Sequence, residues 1–238
     1  MAKAGFERAA RWILRDTASI LRHGRGAPRR SELIHVPTMR LTHGVHVRGV
    51  GAGEVRGGTW DLSARPIADT FHIKSAIEHW AHGTPWEDLG VFEHLVRRIE
   101  EAGRPIDGCS TRAEVVARYE RLDHMFQQVA AEGRLRRPQE VDREKRRGQG
   151  ALMVHVDRHR RPVFGFRGNH RLAAAMVLGL ETVPARVGRV HPASLPSWRA
   201  SLREPQKRRP AAADEDGLRT RLGSPQTEVQ HSRHDETR

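Results

Sequence analysis

Residues 165–180 read GFRGNHRLAAAMVLGL. The stretch sets Arg167, Gly168, Asn169, His170 and Arg171 directly before a small-residue, apolar segment with helical character. Glycine, amide, imidazole and guanidinium groups make a poor core. They suit a loop whose backbone must come close to an anion. A chain that passes through a glycine turn into a helix presents unpaired backbone N–H groups at the positive end of the helix dipole. Gly168 permits close approach or positive φ, and Asn169 is expected to act as N-cap. A cation in the first turn is normally disfavoured by the dipole, so Arg171 there implies a compensating negative charge. Its planar fork suits a phosphate, and His170 adds one further donor. The competing assignment pairs Arg171 with a protein carboxylate and has His170 cap a carbonyl.

Other candidates are more scattered. Asp61 in GGTWD, and Glu87 or Asp88 after Trp86, offer carboxylates to the same site, whereas Trp60 and Trp86 read as packing anchors. Arg186, Arg189 and His191 fall on an expected strand over VPARVGRV. Alternation there sets Val183, Ala185 and Val187 on one face and Arg186 on the other, where it lines a basic pocket or faces solvent. The 15 histidines include close pairs, His43 with His46 and His155 with His159, but neither pair has an evident third ligand. No metal site is expected.

The elements that must position these groups follow from pattern. The 238 residues carry 37% hydrophobic side chains and a formal charge of +13, enough apolar material for about one domain. Residues 134–171 hold twelve Lys or Arg against four Asp or Glu, and residues 61–133 hold eight against thirteen. An acidic middle therefore precedes a basic segment, a field that attracts phosphorylated ligands or nucleic acid. No apolar run reaches the roughly 20 residues needed to span a bilayer. The single cysteine, Cys109, excludes an internal disulfide framework, and the expected location is cytoplasmic.

Residues 5–23 read as a basic amphipathic helix with Phe6, Ala9, Ala10, Ile13, Ile20 and Leu21 on one side. It is suited to a membrane surface, with packing against the domain as the primary expectation. One or two short strands follow within LIHVPTMRLTHGVHVRGV. The glycines of GVGAGEVRGG precede no amphipathic helix and so fail as a dinucleotide fingerprint. Three helices are expected between about 70 and 133: one ending near Gly83, one from Thr84 to about Ala102, and one opened by a Thr111–Glu114 capping box and ended at Gly133. A hairpin over ALMVHV and VFGF, a tight RGN loop, a helix over 170–178 and a returning strand complete the core motif, residues 151–191. The expected organisation is a basic N-terminal extension (1–30), an α+β domain with a helical insertion (31–202) and a disordered polar tail (203–238).

The segment VFGFRGNHRLAAAMVLGLETVPARV resembles the G-x-H-R region of the ParB/sulfiredoxin superfamily: strand, glycine loop, His-Arg, Ala-rich helix, Leu-Gly, then VP opening another strand. With GGTWD, GTPWED and STRAEVVARYERLDHMFQQVAAEG upstream, it is also similar to a group of uncharacterised bacterial proteins with the same motif. The resemblance implies a small mixed sheet with packed helices. It also implies ATP or CTP as ligand, with Mg2+ if nucleotide chemistry occurs, and phosphate contacts at Gly168, Asn169, His170 and Arg171, flanked by Arg167. Particular active sites do not carry over. Asn169 stands where sulfiredoxins place their reactive cysteine, and an amide cannot replace a thiolate. Arg167 stands where free-serine kinases of the superfamily place an acid, and a guanidinium cannot take a proton. No helix-turn-helix pattern follows residue 190 as in the chromosome-partitioning members.

Three functions are consistent with these residues: a nucleotide- or phosphate-ligand-binding protein, extending to a phosphotransferase or NTPase; a DNA-binding protein using the basic surface; or a non-catalytic interaction protein. Removing residues 206–238 is expected to leave the melting temperature within a degree or so of the full chain, because so polar a segment adds little buried apolar area. Differential scanning calorimetry of the two chains checks this.

Overall fold

The computed structural model describes residues 2–30, 32–47, 49, 52–137, 140 and 151–203, with the side chains of 2–12 excepted. The expected tail, apart from Arg203, and most of the basic connector 138–150 lie outside the described residues. Helix α1 (Ala2–His23) leads to strand β1 (Leu33–Pro37), β2 (His43–Gly44), β3 (Glu54–Val55) and β4 (Arg65–Pro66). Helices α2 (Phe71–His82), α3 (Val91–Ala102) and α4 (Arg112–Glu132) come next, then β5 (Leu152–Val156), β6 (Pro162–Phe164), α5 (Asn169–Val177), β7 (Thr182–Val190) and α6 (Trp198–Arg203). The fold is α+β.

The sheet runs β1-β7-β5-β6-β2-β4, with β3 also pairing β7. It is mixed: β5–β7 and β2–β6 are parallel, and β1–β7 and β5–β6 antiparallel. Every residue of β5 is buried. Period-two alternation sends Leu152, Val154 and Val156 to one face, with Ala185 and Val187 of β7 in register. There α5 contributes Leu172, Ala173, Ala174 and Ala175, all buried, and packs against α2. The alanines let the helix lie close to the sheet.

The opposite face of β5 carries Met153 and His155. His155 is fully buried, and its Nδ1 accepts the Arg189 N–H at 2.7 Å. Glycines 165 and 188 flank the ring, and a β-carbon at either position would overlap it. Trp60 meets the ring edge-on, with centroids 5.6 Å apart.

Two expectations need correction. The second helix does not start at Thr84: residues 86–90 form turns, and α3 begins at Val91 after Gly90 in the left-handed region, φ 65°. Tertiary hydrogen bonds hold that segment. The Thr84 carbonyl faces His79 Nδ1 at 2.7 Å, and the Trp86 indole donates to Asp123 Oδ2 at 3.0 Å. The N-terminal helix, in turn, leaves part of its expected apolar stripe open among the described side chains. It meets the rest of the chain along Asp16, Ser19, Ile20 and His23, which are half-buried, with Asp16 accepting the Arg30 N–H. Ile13 and Leu21 remain exposed. The Thr111–Glu114 capping box is present, and Gly83 and Gly133 are left-handed helix stops, as expected.

Gly188→Ala is expected to destabilise the protein by about 1–3 kcal/mol, since the added methyl must displace a close-packed imidazole. The same substitution in a His155→Ala background should cost less. Urea unfolding of the four chains checks this double-mutant cycle.

Candidate anion-binding site

The G-x-H-R turn sits where β6 leads into α5. Gly168 has φ 87° and serves as N-cap, with no side chain capping the helix. This corrects the assignment of Asn169 as cap. Asn169 is the first helical residue, and its Oδ1 is buried without a hydrogen-bond partner among the described residues. A β-carbon at Gly168 would lie 3.3 Å from Leu152 Cγ, so glycine answers both the positive φ and the close approach to β5. Leu172 is the first helical amide to bond back, to the Gly168 carbonyl at 3.0 Å. The Asn169 and His170 amides meet no acceptor among the described residues. They are orphan donors of a helix start.

The side chains of the motif diverge. His170 turns into a nest of rings: Tyr119, His72 and Trp86 lie with centroids 5.8, 5.9 and 6.4 Å away. Burial pushes its pKa down to about 3, helped by the neighbouring His72 and Arg118, so the ring is neutral at pH 7. His94 extends the cluster, 5.6 Å from His72. Among the described residues no three His, Cys, Asp or Glu side chains are arranged to hold a metal ion. Arg171 is half-buried and donates to the Arg136 carbonyl at 2.6 Å, tying α5 to the chain leaving α4. Its burial lowers its pKa. The imidazole of His170 thus packs among rings, and the guanidinium of Arg171 holds α5 to the chain leaving α4.

Arg167 is exposed, and its carbonyl accepts the Met153 N–H at 3.4 Å. Met153 is in register with Arg186 of β7, and Leu33 of β1 flanks Arg186 on the other side. Burial lowers the Arg186 pKa, and the adjacent charges of Arg30 and Arg167 add to the shift. Arg30, Arg167 and Arg186 therefore gather on the face of the sheet away from α5. Two of these, Arg167 and Arg186, were sequence candidates. Arg30 was not: GRGAPRR reads locally as a helix breaker, and only the return of β1 beside β7 brings it to Arg186.

Asp61 stands apart. Buried in the 3₁₀ turn Trp60–Ser63, it accepts Arg158 Nε and a terminal guanidinium nitrogen at 2.8 Å each, and the Arg158 N–H at 3.0 Å. The Arg158 hydrogen bond holds its carboxyl far below the usual carboxylate range despite burial. The expected pocket carboxylate is instead a clamp between GGTWD and the β5–β6 turn. Glu87 and Asp88 are exposed, and Arg189 pairs with Glu54 at 2.8 Å.

Comparison of the chain with protein-family models, with curated proteins and with solved structures finds no match.

His155, like His170, has its pKa pushed down to about 3 by burial, with Arg189 and Arg167 adding to the effect. Both rings stay neutral when folded but take up a proton near pH 6.5 when unfolded. Stability is therefore full above about pH 6.5 and falls as the pH drops toward 3, by up to about 1.4 kcal/mol per pH unit for each ring. His170→Phe, which keeps the ring contacts, should flatten that slope by one proton's worth. Urea midpoints measured between pH 7 and 4 check it.

Proposed function

We propose that this domain binds a phosphorylated ligand, a nucleotide such as ATP or CTP, on the sheet face bearing Arg30, Arg167 and Arg186. The observation that carries the reading is the convergence of these three guanidinium groups, one of which, Arg167, directly precedes the glycine-capped helix start. Burial and the neighbouring charges of Arg30 and Arg167 disfavour the charged form of Arg186, and an anion at that face favours it. Guanidinium forks and backbone N–H groups are the donors that phosphate oxygens take. The resemblance of GFRGNHR to the G-x-H-R turn of the ParB/sulfiredoxin superfamily supports a nucleotide as the phosphate's carrier. The role given to the motif changes in one respect: its glycine, its amides and Arg167 meet the ligand, while the His170 and Arg171 side chains brace α5.

The reading is of binding, and phosphotransfer or NTP hydrolysis is assigned to no residue. Asp61 and Glu54 are already engaged by Arg158 and Arg189. Mg2+ would accordingly enter with the phosphates of the ligand rather than be recruited by these carboxylates.

Isothermal titration of the full chain with ATP, CTP and pyrophosphate, with and without Mg2+, tests the proposal. Saturable binding is expected, weakened about tenfold or more in Arg186→Ala or Arg167→Ala, since a charge-assisted hydrogen bond contributes roughly 1.5–3 kcal/mol. His170→Phe should bind as the parent does. Absence of saturable binding, or equal affinity in the arginine variants, would overturn it. A duplex DNA titration in parallel separates this from a backbone-binding role, which would show a steep salt slope.

A further inference from the structure

We propose that α1 is an interfacial anchor that seats this protein on an anionic lipid surface. The helix has 22 residues, about 33 Å at 1.5 Å per residue. Among its described side chains, those that meet the rest of the chain lie on one side: Asp16, Ser19, Ile20 and His23. A different side carries Ile13, Leu14 and Leu21, exposed by 67%, 68% and 82%. At 100° per residue these three fall within about 100° of one another. Large aliphatic side chains left this open in a row are covered by something in the working protein.

Charge identifies the cover. Residues 1–30 hold eight Lys or Arg (Lys3, Arg8, Arg11, Arg15, Arg22, Arg25, Arg29, Arg30) against Glu7 and Asp16, a net of +6. Asp16 is taken up by the Arg30 N–H. A second copy laid along the stripe would bring +6 against +6, with no acidic residue left over to offset it but Glu7. An anionic headgroup layer meets the same charges favourably, while the acyl boundary takes the aliphatic row. Arg15 and Arg22 are exposed and lie about 80–100° round the helix from Leu14, flanking the aliphatic row, where their long stems can reach headgroups. An amphipathic helix of low mean hydropathy with a basic polar face lies in the membrane interface rather than across it. Consistently, no described helix is long and apolar enough to cross a membrane. This inference is independent of the phosphate-ligand reading, which uses the sheet face.

The test is flotation of the full chain with phosphatidylcholine vesicles, and with the same vesicles containing about one-third phosphatidylglycerol. The protein should float with the anionic vesicles only, and be released at about 0.5 M salt, where the field is screened. Arg15→Glu and Arg22→Glu should each weaken binding about fivefold or more. Leu14→Asp with Leu21→Asp should abolish it without lowering the melting temperature, since neither side chain is packed. Failure to float with anionic vesicles would overturn the proposal. So would flotation unchanged by the Leu14/Leu21 pair, which would put the lipid contact elsewhere. A third refuting result is a concentration-dependent dimer in sedimentation velocity that the same pair dissolves while flotation persists, because a second copy would then be what covers the stripe.

Discussion

Strand β5 has no solvent side, and the rest of the domain is arranged to meet that condition. Its neighbours β7 and β6 use up its backbone donors and acceptors. The aliphatic face of Leu152, Val154 and Val156 is covered by α5 and α2. The other face holds Met153 and an imidazole, and burying an imidazole costs free energy unless its nitrogen finds a partner. The Arg189 amide supplies one for His155. Two glycines supply the room, and the GGTWD turn closes over the ring with Trp60. The Asp61–Arg158 clamp fixes that turn to the β5–β6 hairpin, so the lid over His155 and the strand beneath it are tied at both ends.

A second constraint organises the helices. Asp123 on α4 receives the indole N–H groups of Trp80 and Trp86 at 2.9 Å and 3.0 Å and faces His79 Nε2 at 3.1 Å. His79 stacks on Trp86, centroids 4.0 Å apart. One carboxylate thus gathers α2, the turn before α3, and α4. The turn cannot also be helical, because its first carbonyl and its indole already point inward at these partners. His170 packs against the same assembly through Trp86 and Tyr119, which is why an imidazole from the G-x-H-R motif ends among rings rather than in solvent.

The division of the motif between two sides of the sheet has a simple cause. Arg167 lies in the loop ahead of the glycine cap, and the helix begins two residues later. Side chains before the cap therefore keep to the β6 side, while those after it rotate at 100° per residue toward α2 and α4. Four consecutive residues at a strand–helix junction cannot all address one ligand with their side chains. Their backbone amides can, since those at a helix start point the same way.

Local signals were legible to the extent that they depend on near neighbours. The hairpin, α5, β7, the Thr111 capping box and the glycine stops at 83 and 133 are set by period, capping chemistry and positive φ, all of which act over a few residues. The α+β class and the positive φ at Gly168 were readable for the same reason. Which residues surround that turn was not. Arg30 lies over 150 residues from Arg186, and Asp61 finds Arg158 across 97 residues. Trp86 overrides a sound capping pattern to reach Asp123. These pairings arise from which strands become neighbours and which faces must be buried, quantities that no window of sequence contains. The sequence alone therefore determined the elements and the chemistry of one loop, and the tertiary structure decided which charges that loop would meet, because ion pairs and packing form between surfaces and not along the chain.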